Sequence, residues 1–368
     1  MSTHVVLPQV IAPDAERAGV SKLTELQARV AALRVQSQAA QDDGATLPVA
    51  GQLPMVTVFN PAIKPPEGMS SDRDSTKRDE RIMTLLRERG ALRVLGAVAS
   101  PMLAGAISEL YDSHPNSSGA IDYILGEEVL ARRQGNALCG LRLLLHGSAG
   151  VGKTDVALTL AKLLALPYEV ISLSSAQAAA ALAGSEQYWS NTQPGAIWKQ
   201  LIQGTHANPL FVLDEIDKTS NQWGDPLGAL YQLLESRTAA VFCDKSLPWM
   251  PVDASKINFV ATANDPEALH PALRSRFVEF EVTSPSEGAL RQLIQRLYIN
   301  LLTEFDLIDR FPTELSVVQT TVLLGGSIRD AKRILRAALG QALRDNSNEL
   351  TLKMATPQIV TRQRIGFL

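Results

Sequence analysis

Residues Gly147-Ser148-Ala149-Gly150-Val151-Gly152-Lys153-Thr154 decide the fold, because they fill every fixed position of the pattern GxxxxGK[ST]. The neighbouring sequence supplies the context that pattern needs. Leu141–His146 before the loop is an apolar run of strand length, and Asp155–Leu164 after it is rich in helix formers. Glycines at these places let backbone N–H groups converge on phosphate oxygens, and the positive end of the following helix adds to the attraction. Lys153 is expected to bridge the β- and γ-phosphates of ATP, and the Thr154 hydroxyl to ligate Mg²⁺. The pattern alone would also suit a glycine-rich turn with a surface lysine. The strand–loop–helix setting favours the phosphate loop.

Leu210-Phe211-Val212-Leu213-Asp214-Glu215 follows further along the chain, four apolar residues ending in two carboxylates. In an open α/β sheet the ligand crevice lies beyond the carboxyl ends of the strands, so both acids should arrive beside the phosphate loop. Asp214 is expected to help hold Mg²⁺, and Glu215 to orient and deprotonate the attacking water. A further apolar run, Ile257–Ala261, leads into Thr262-Ala263-Asn264. Taken alone, Asn264-Asp265-Pro266 is a turn signal. After the other two strands, Asn264 becomes a candidate for positioning that water.

Tyr168–Leu173 and Phe277–Val282 complete a set of five short apolar runs separated by helical patterns. Continuous apolar runs of this kind suit parallel strands covered by helices on both faces, hence an α/β sheet. The remaining chain has a different texture. Leu290, Leu293, Ile294 and Leu297, then Ile328, Ile334, Leu335 and Leu339, show helical spacing, so residues 286–368 read as a small all-helical lid domain. The α/β nucleotide-binding domain is expected over 78–285. Residues 42–77, rich in Pro, Gly, Ser and Asp, read as a flexible linker. Residues 1–41 contain Leu23, Leu26, Val30 and Leu33, an amphipathic helix too short in heptads for a free-standing coiled coil.

Bulk properties narrow the classes of function. The formal net charge of −3 over 368 residues gives no general attraction to a polyanion, which weighs against nucleic acid as a partner. Cys139 and Cys243 are far apart and form no CxxC pair, so they read as reduced thiols in a cytoplasmic protein without a zinc site. No basic region followed by an apolar core opens the chain. The most apolar stretch, Val94–Ser108, contains Pro101 and falls short of the ~20 residues of a membrane span.

With its three motif-bearing strands in order, the sequence resembles the AAA+ ATPases, and within them the ATPase module of the Lon protease family. The resemblance runs from about Ile121 to Leu368 and is carried by Asn208-Pro209-Leu210-Phe211-Val212-Leu213-Asp214-Glu215-Ile216-Asp217-Lys218, Gly224-Asp225-Pro226 and Phe259-Val260-Ala261-Thr262-Ala263-Asn264. It implies further roles. Within Ala272-Leu273-Arg274-Ser275-Arg276-Phe277, Arg276 matches the arginine finger that reaches a neighbouring subunit's nucleotide, with Arg274 in reserve. Such a finger implies a ring, in this family usually a homo-hexamer. Arg329, in Gly326-Ser327-Ile328-Arg329, matches the sensor that contacts nucleotide from the lid, and Tyr123 and Ile124 fall where the family packs against adenine.

Gly184–Gly195 aligns with the loop that lines the central pore, and Trp189, with Tyr188 beside it, supplies the aromatic that grips polypeptide. Lon's segment is more basic and has a small apolar residue after the aromatic, whereas Ser190 stands here. Too little chain follows Arg329 for a further domain of ordinary size, so the expectation is an ATPase without its own peptidase. The function so implied is a ring motor that remodels or unfolds protein, as chaperone or as motor for a partner. A nucleic-acid motor or loader and a nucleotide-dependent assembly switch are the alternatives.

Overall fold

The computed structural model describes residues 53–66, 73–175, 178–186, 192–218 and 226–352. In chain order the elements are β1 (Met55–Thr57), α1 (Arg73–Arg89), β2 (Leu92–Val94), α2 (Pro101–Ser113), α3 (Ser118–Arg133), β3 (Arg142–His146), α4 (Lys153–Leu163), β4 (Tyr168–Ser172), α5 (Ala178–Ala183), α6 (Ala196–Ile202) and β5 (Leu210–Asp214). There follow α7 (Pro226–Leu233), α8 (Ser236–Ala239), β6 (Phe242–Cys243), β7 (Pro251–Val252), β8 (Asn258–Ala263), α9 (Pro271–Arg274), β9 (Val278–Glu281), α10 (Glu287–Glu304), α11 (Val317–Leu324) and α12 (Ile328–Arg344).

The five expected apolar runs become one parallel sheet of order β4-β5-β8-β3-β9. Side chains alternate between its faces, so Leu144, Phe211, Leu213 and Phe259 join one buried cluster while Leu143, Leu145, Val212 and Val260 join another. Helices cover both. Trp198 and Ile202 of α6 pack on the first face; Val156, Ala157 and Leu160 of α4 pack on the second with Ile121 and Ile124 of α3. Burial on both faces explains why the central strands are apolar throughout rather than alternating.

Beyond β9 the chain is helical, and a separate cluster of Ile294, Tyr298, Leu302, Leu323, Leu335 and Leu339 holds α10, α11 and α12 together. Ser316 and Ser327 each open a helix with a reciprocal capping box, satisfying N–H groups that the first turn leaves free. This is a parallel α/β sheet covered by helices on both faces and followed by a helical region.

The segment expected as linker is in part packed structure. β1 pairs antiparallel with β2, and Val58 and Phe59, both buried, join the cluster beneath the sheet. The composition of 42–77 signalled mobility, but these apolar residues are reached by a distant partner strand. Buried Arg93 completes the attachment, donating to Leu201 O at 2.8 Å and Ile202 O at 2.5 Å. The stretch Val94–Ser108 divides at its proline: Pro101 is the first residue of α2, and the Ser100 hydroxyl accepts from Leu103 N. No helix among the described residues is long and apolar enough to cross a membrane. The amphipathic helix expected within 1–41, Tyr188, Trp189 and the Gly224-Asp225 segment lie outside the described residues.

Candidate functional site

β3 ends at His146, and residues 147–152 turn sharply into α4, which starts at Lys153. Gly147 has φ 143°, and a Cβ there would come within 2.3 Å of Val282 O, so this turn requires glycine. Gly152, at φ 101°, is the left-handed residue that caps the N-terminus of α4. Between them Ser148, Ala149, Gly150 and Val151 complete a concave run of backbone at the positive end of a helix, the form of a phosphate cradle.

Lys153 is buried, and its Nζ donates to Gly147 O at 2.6 Å, Ser148 O at 2.9 Å and Asn264 Oδ1 at 2.9 Å. Loss of hydration lowers its pKa, while the carboxylates of Asp217 and Asp214 oppose that shift. A cation is thereby fixed inside the cradle and joined to the end of β8. Beside it, Thr154 Oγ1 donates to Asp214 Oδ1 at 2.9 Å. A hydroxyl and a carboxylate at this spacing are the oxygen donors a Mg²⁺ ion takes along with phosphate and water. The residues present therefore fit both a nucleotide triphosphate and its metal.

Glu215 adopts φ 56°, an uncommon conformation for a side chain of this size. Its N–H donates to Thr262 Oγ1 at 3.1 Å, and its carboxylate pairs with Lys218. Asn264 stands at the other end of the Lys153 contact, with its N–H donated to Asp217 Oδ2 at 2.9 Å. Lys153, Thr154, Asp214, Glu215 and Asn264 are thus gathered at the carboxyl ends of the adjacent strands β3, β8 and β5.

The remaining candidates lie around this centre. Arg329 is exposed on the first turn of α12, two residues past Ser327, whose Cβ is 3.9 Å from where a Cβ on Gly150 would stand. α12 therefore starts beside the phosphate loop. Arg274 is held by a two-pronged contact to Glu279 (2.6 and 2.8 Å) and by Glu267, which raises its pKa further. Arg276 donates to Ala272 O and sits 5.3 Å over the Tyr231 ring. Tyr123 packs its ring on Phe280 with centroids 5.6 Å apart, and Ile124 is inside the core at 1% exposure. Of that pair only Tyr123 retains surface for a ligand.

Some neighbours of the site were given no role by the sequence. Thr262, 2% exposed, lies within the segment Phe259–Asn264 and donates to Asp214 Oδ1 at 2.5 Å; a hydroxyl near the end of an apolar strand is its only signal. Asn116 Nδ2 donates to Val151 O at 3.0 Å and Thr283 O at 2.7 Å, tying the start of α3 to the phosphate loop. Nothing in the periodicity around Asn116 announces this.

Comparison with known proteins agrees with that geometry. Residues 143–284, from the start of β3 to just past β9, match the family described as ATPase family associated with various cellular activities (AAA). Lon protease of Amoebophilus asiaticus is 34% identical over 162 residues, 44% of this chain and 19% of that protein. The peroxisomal Lon protease homolog 2 of Caenorhabditis elegans is 32% identical over 195 residues, 53% of this chain and 25% of its own. The mitochondrial Lon protease homolog of Rattus norvegicus is 29% identical over 234 residues, 62% and 24% respectively. The chain therefore spans about a fifth to a quarter of the length of these relatives. Among solved structures, the S. cerevisiae Hsp104:casein complex in its extended conformation matches with TM-score 0.53 at 15% identity, over 67% of this chain and 48% of that one. That likeness is one of fold. Residues 143–284 are an AAA-family ATPase domain, and the chain that carries it is related in sequence to the Lon proteases.

Proposed function

We propose that this chain is an ATP-hydrolysing ring motor that pulls on, unfolds or remodels protein, as a chaperone or for a separate partner. The observation that carries the reading is the joining of Lys153 to Asn264 and of Thr154 to Asp214, each at 2.9 Å, at the mouth of a phosphate cradle.

Lys153 and the backbone of 147–154 hold the phosphates. Thr154 and Asp214 hold Mg²⁺, which when bound withdraws charge from the β- and γ-phosphate oxygens. Glu215 takes the proton of the attacking water, and Asn264 orients that water. Arg329 contacts the nucleotide from the lid, and Tyr123 flanks the base, while Ile124 packs behind it in the core. The working parts are the α/β unit over 78–285 and the lid over 286–368.

Arg276 acts on a neighbour's nucleotide, a role supported by its own contacts, which are to Ala272 and Tyr231 rather than to the phosphate loop. That role calls for a ring, taken here as a homo-hexamer. Trp189 and Tyr188 grip the polypeptide in its pore. Cytoplasmic residence accords with two free thiols.

The test is Glu215→Gln, assayed for ATP binding, ATP turnover and retention of an unfolded polypeptide. Binding and retention without turnover are expected. Turnover at the wild-type rate would remove Glu215 as the base, and stimulation of the wild-type protein by DNA alone would replace polypeptide with nucleic acid.

A further inference from the structure

Asp217 lies in the short turn Ile216–Lys218 that follows β5, and the chemistry described above leaves it without a part. Its Oδ2 accepts two successive backbone N–H groups from the end of β8, Asn264 N at 2.9 Å and Asp265 N at 3.0 Å. Those N–H groups belong to the two peptide planes that flank the Asn264 Cα. Holding both planes from one oxygen fixes φ and ψ at Asn264, and so fixes the direction in which its side chain leaves the backbone. That side chain ends on Lys153 Nζ, 2.9 Å away. Bonds from N–H to an ionised carboxylate are roughly twice as strong as neutral ones, so the constraint is a stiff one.

The turn does not depend on Asp217 to form. Asp265 caps the turn Pro266–Ala268 itself, accepting from Glu267 N at 3.0 Å. What Asp217 adds is a link between strand ends: β5 ends at Asp214 and leads into Glu215, and β8 leads into Asn264. We propose that Asp217 is a positioning residue for hydrolysis, setting the backbone at Asn264 so that its amide meets the terminal phosphate and water in register with Asp214 and Glu215. This rests on the ATPase reading above.

The experiment compares the full chain with Asp217→Ala, Asp217→Asn, Asn264→Ala and the Asp217→Ala/Asn264→Ala double variant. Steady-state ATP turnover and the affinity for a fluorescent ATP analogue are measured for each. Asp217→Ala should lower kcat by roughly 10–100-fold, the scale of loss from misplacing a catalytic group, with nucleotide affinity changed less than about threefold. Asp217→Asn, whose Oδ1 still accepts both N–H groups, should recover most of the rate. Because Asp217 acts through Asn264, the double variant should be no slower than Asn264→Ala alone.

Losses that multiply in the double variant, or affinity falling in step with kcat, would overturn the proposal while leaving the ATPase reading intact. Should Asp217→Ala lose its melting transition, Asp217→Glu keeps the charge but displaces the oxygen. An undiminished kcat there would be equally decisive against it. Wild-type protein that binds ATP but turns none over would overturn both readings.

Discussion

Thr154 donates its hydroxyl to Asp214 Oδ1 at 2.9 Å across sixty residues of chain, and Thr262 donates to the same oxygen at 2.5 Å. One carboxylate oxygen thus gathers a hydroxyl from α4 and another from β8. The Thr262 hydroxyl does more, since it also accepts the Glu215 N–H at 3.1 Å. It therefore touches both acidic residues at the end of β5, Asp214 through its carboxylate and Glu215 through its backbone.

Replacement of Thr262 by valine keeps the shape and removes the hydroxyl. The Glu215 N–H, which is partly buried, is then left without its acceptor, a loss of about 1 kcal/mol, the low end for an unsatisfied donor. ATP turnover by Thr262→Val should fall roughly tenfold or more, as 1.4 kcal/mol of lost positioning predicts. ATP affinity should change little, because Lys153 and the loop backbone are untouched. Steady-state kinetics beside equilibrium nucleotide binding checks both halves.

The sheet was readable in the sequence because its inner strands carry unbroken apolar runs, Leu143–Leu145, Leu210–Leu213 and Phe259–Ala261, although the edge strand β9 alternates Val278-Glu279-Phe280-Glu281. Each expected run differs from its strand by a residue or two, and the start of β8 is the informative case. The apolar run starts at Ile257, yet the strand starts at Asn258, a fully buried polar residue. Its amide is satisfied by Leu141 N at 3.1 Å and Asn208 O at 3.0 Å, partners that no local pattern specifies. The β1–β2 pair was hidden for a similar reason. Three-residue strands have no usable period, and their attachment depends on Val58, Phe59 and Arg93 meeting residues far along the chain.

In the site, Lys153, Thr154, Asp214 and Glu215 stood out through spacing and residue type. Thr262 and Asp217 did not, because their contacts come from register. Pairing Leu213 with Ala261 puts Asp214 beside Thr262, and that pairing is a property of the sheet rather than of either strand.

Arg93 carries a charge into the interior and forms no ion pair among the described residues. Its guanidinium donates to Leu201 and Ile202 at the end of α6, and to Gly90 O at 2.9 Å and Leu92 O at 2.7 Å just past α1. The carbonyl ends of two helices compensate it. Arg93→Lys should not rescue the fold, since a point-like ammonium cannot span both sets of carbonyls. Both Arg93→Lys and Arg93→Ala should lose about 2–4 kcal/mol in urea unfolding, the range for breaking a buried hydrogen-bond network. Lysine as stable as arginine would show that charge alone suffices.

Glu128, fully buried on α3, bears a different kind of cost. Burial pushes its carboxyl pKa up, against the pull of Arg132, whose Nε is 3.7 Å away. Between the unfolded value and the raised folded value the native state holds the proton more tightly. Stability attributable to this group therefore falls as pH rises through that window. Glu128→Gln removes the titration. Its melting temperature should exceed wild type near neutral pH and approach it at about pH 4, where the unfolded carboxyl also begins to hold its proton. Melting curves across that range read the difference directly. A variant less stable than wild type at neutral pH would mean that the pair with Arg132 outweighs the burial.

Arg276 offers the sharpest test of assembly, because its contacts lie with Tyr231 and Ala272 on its own chain. If it serves the next subunit's nucleotide, Arg276→Ala and Glu215→Gln are inactive for different reasons. The first retains its base but gives its neighbour no guanidinium; the second gives the guanidinium but has no base. Where an Arg276→Ala site faces a Glu215→Gln neighbour, an intact Glu215 meets an intact Arg276. Mixing the two inactive proteins should then restore ATP turnover to a fraction of wild type that depends on the mixing ratio and peaks near equal amounts. A finger acting within its own chain predicts no recovery at any ratio.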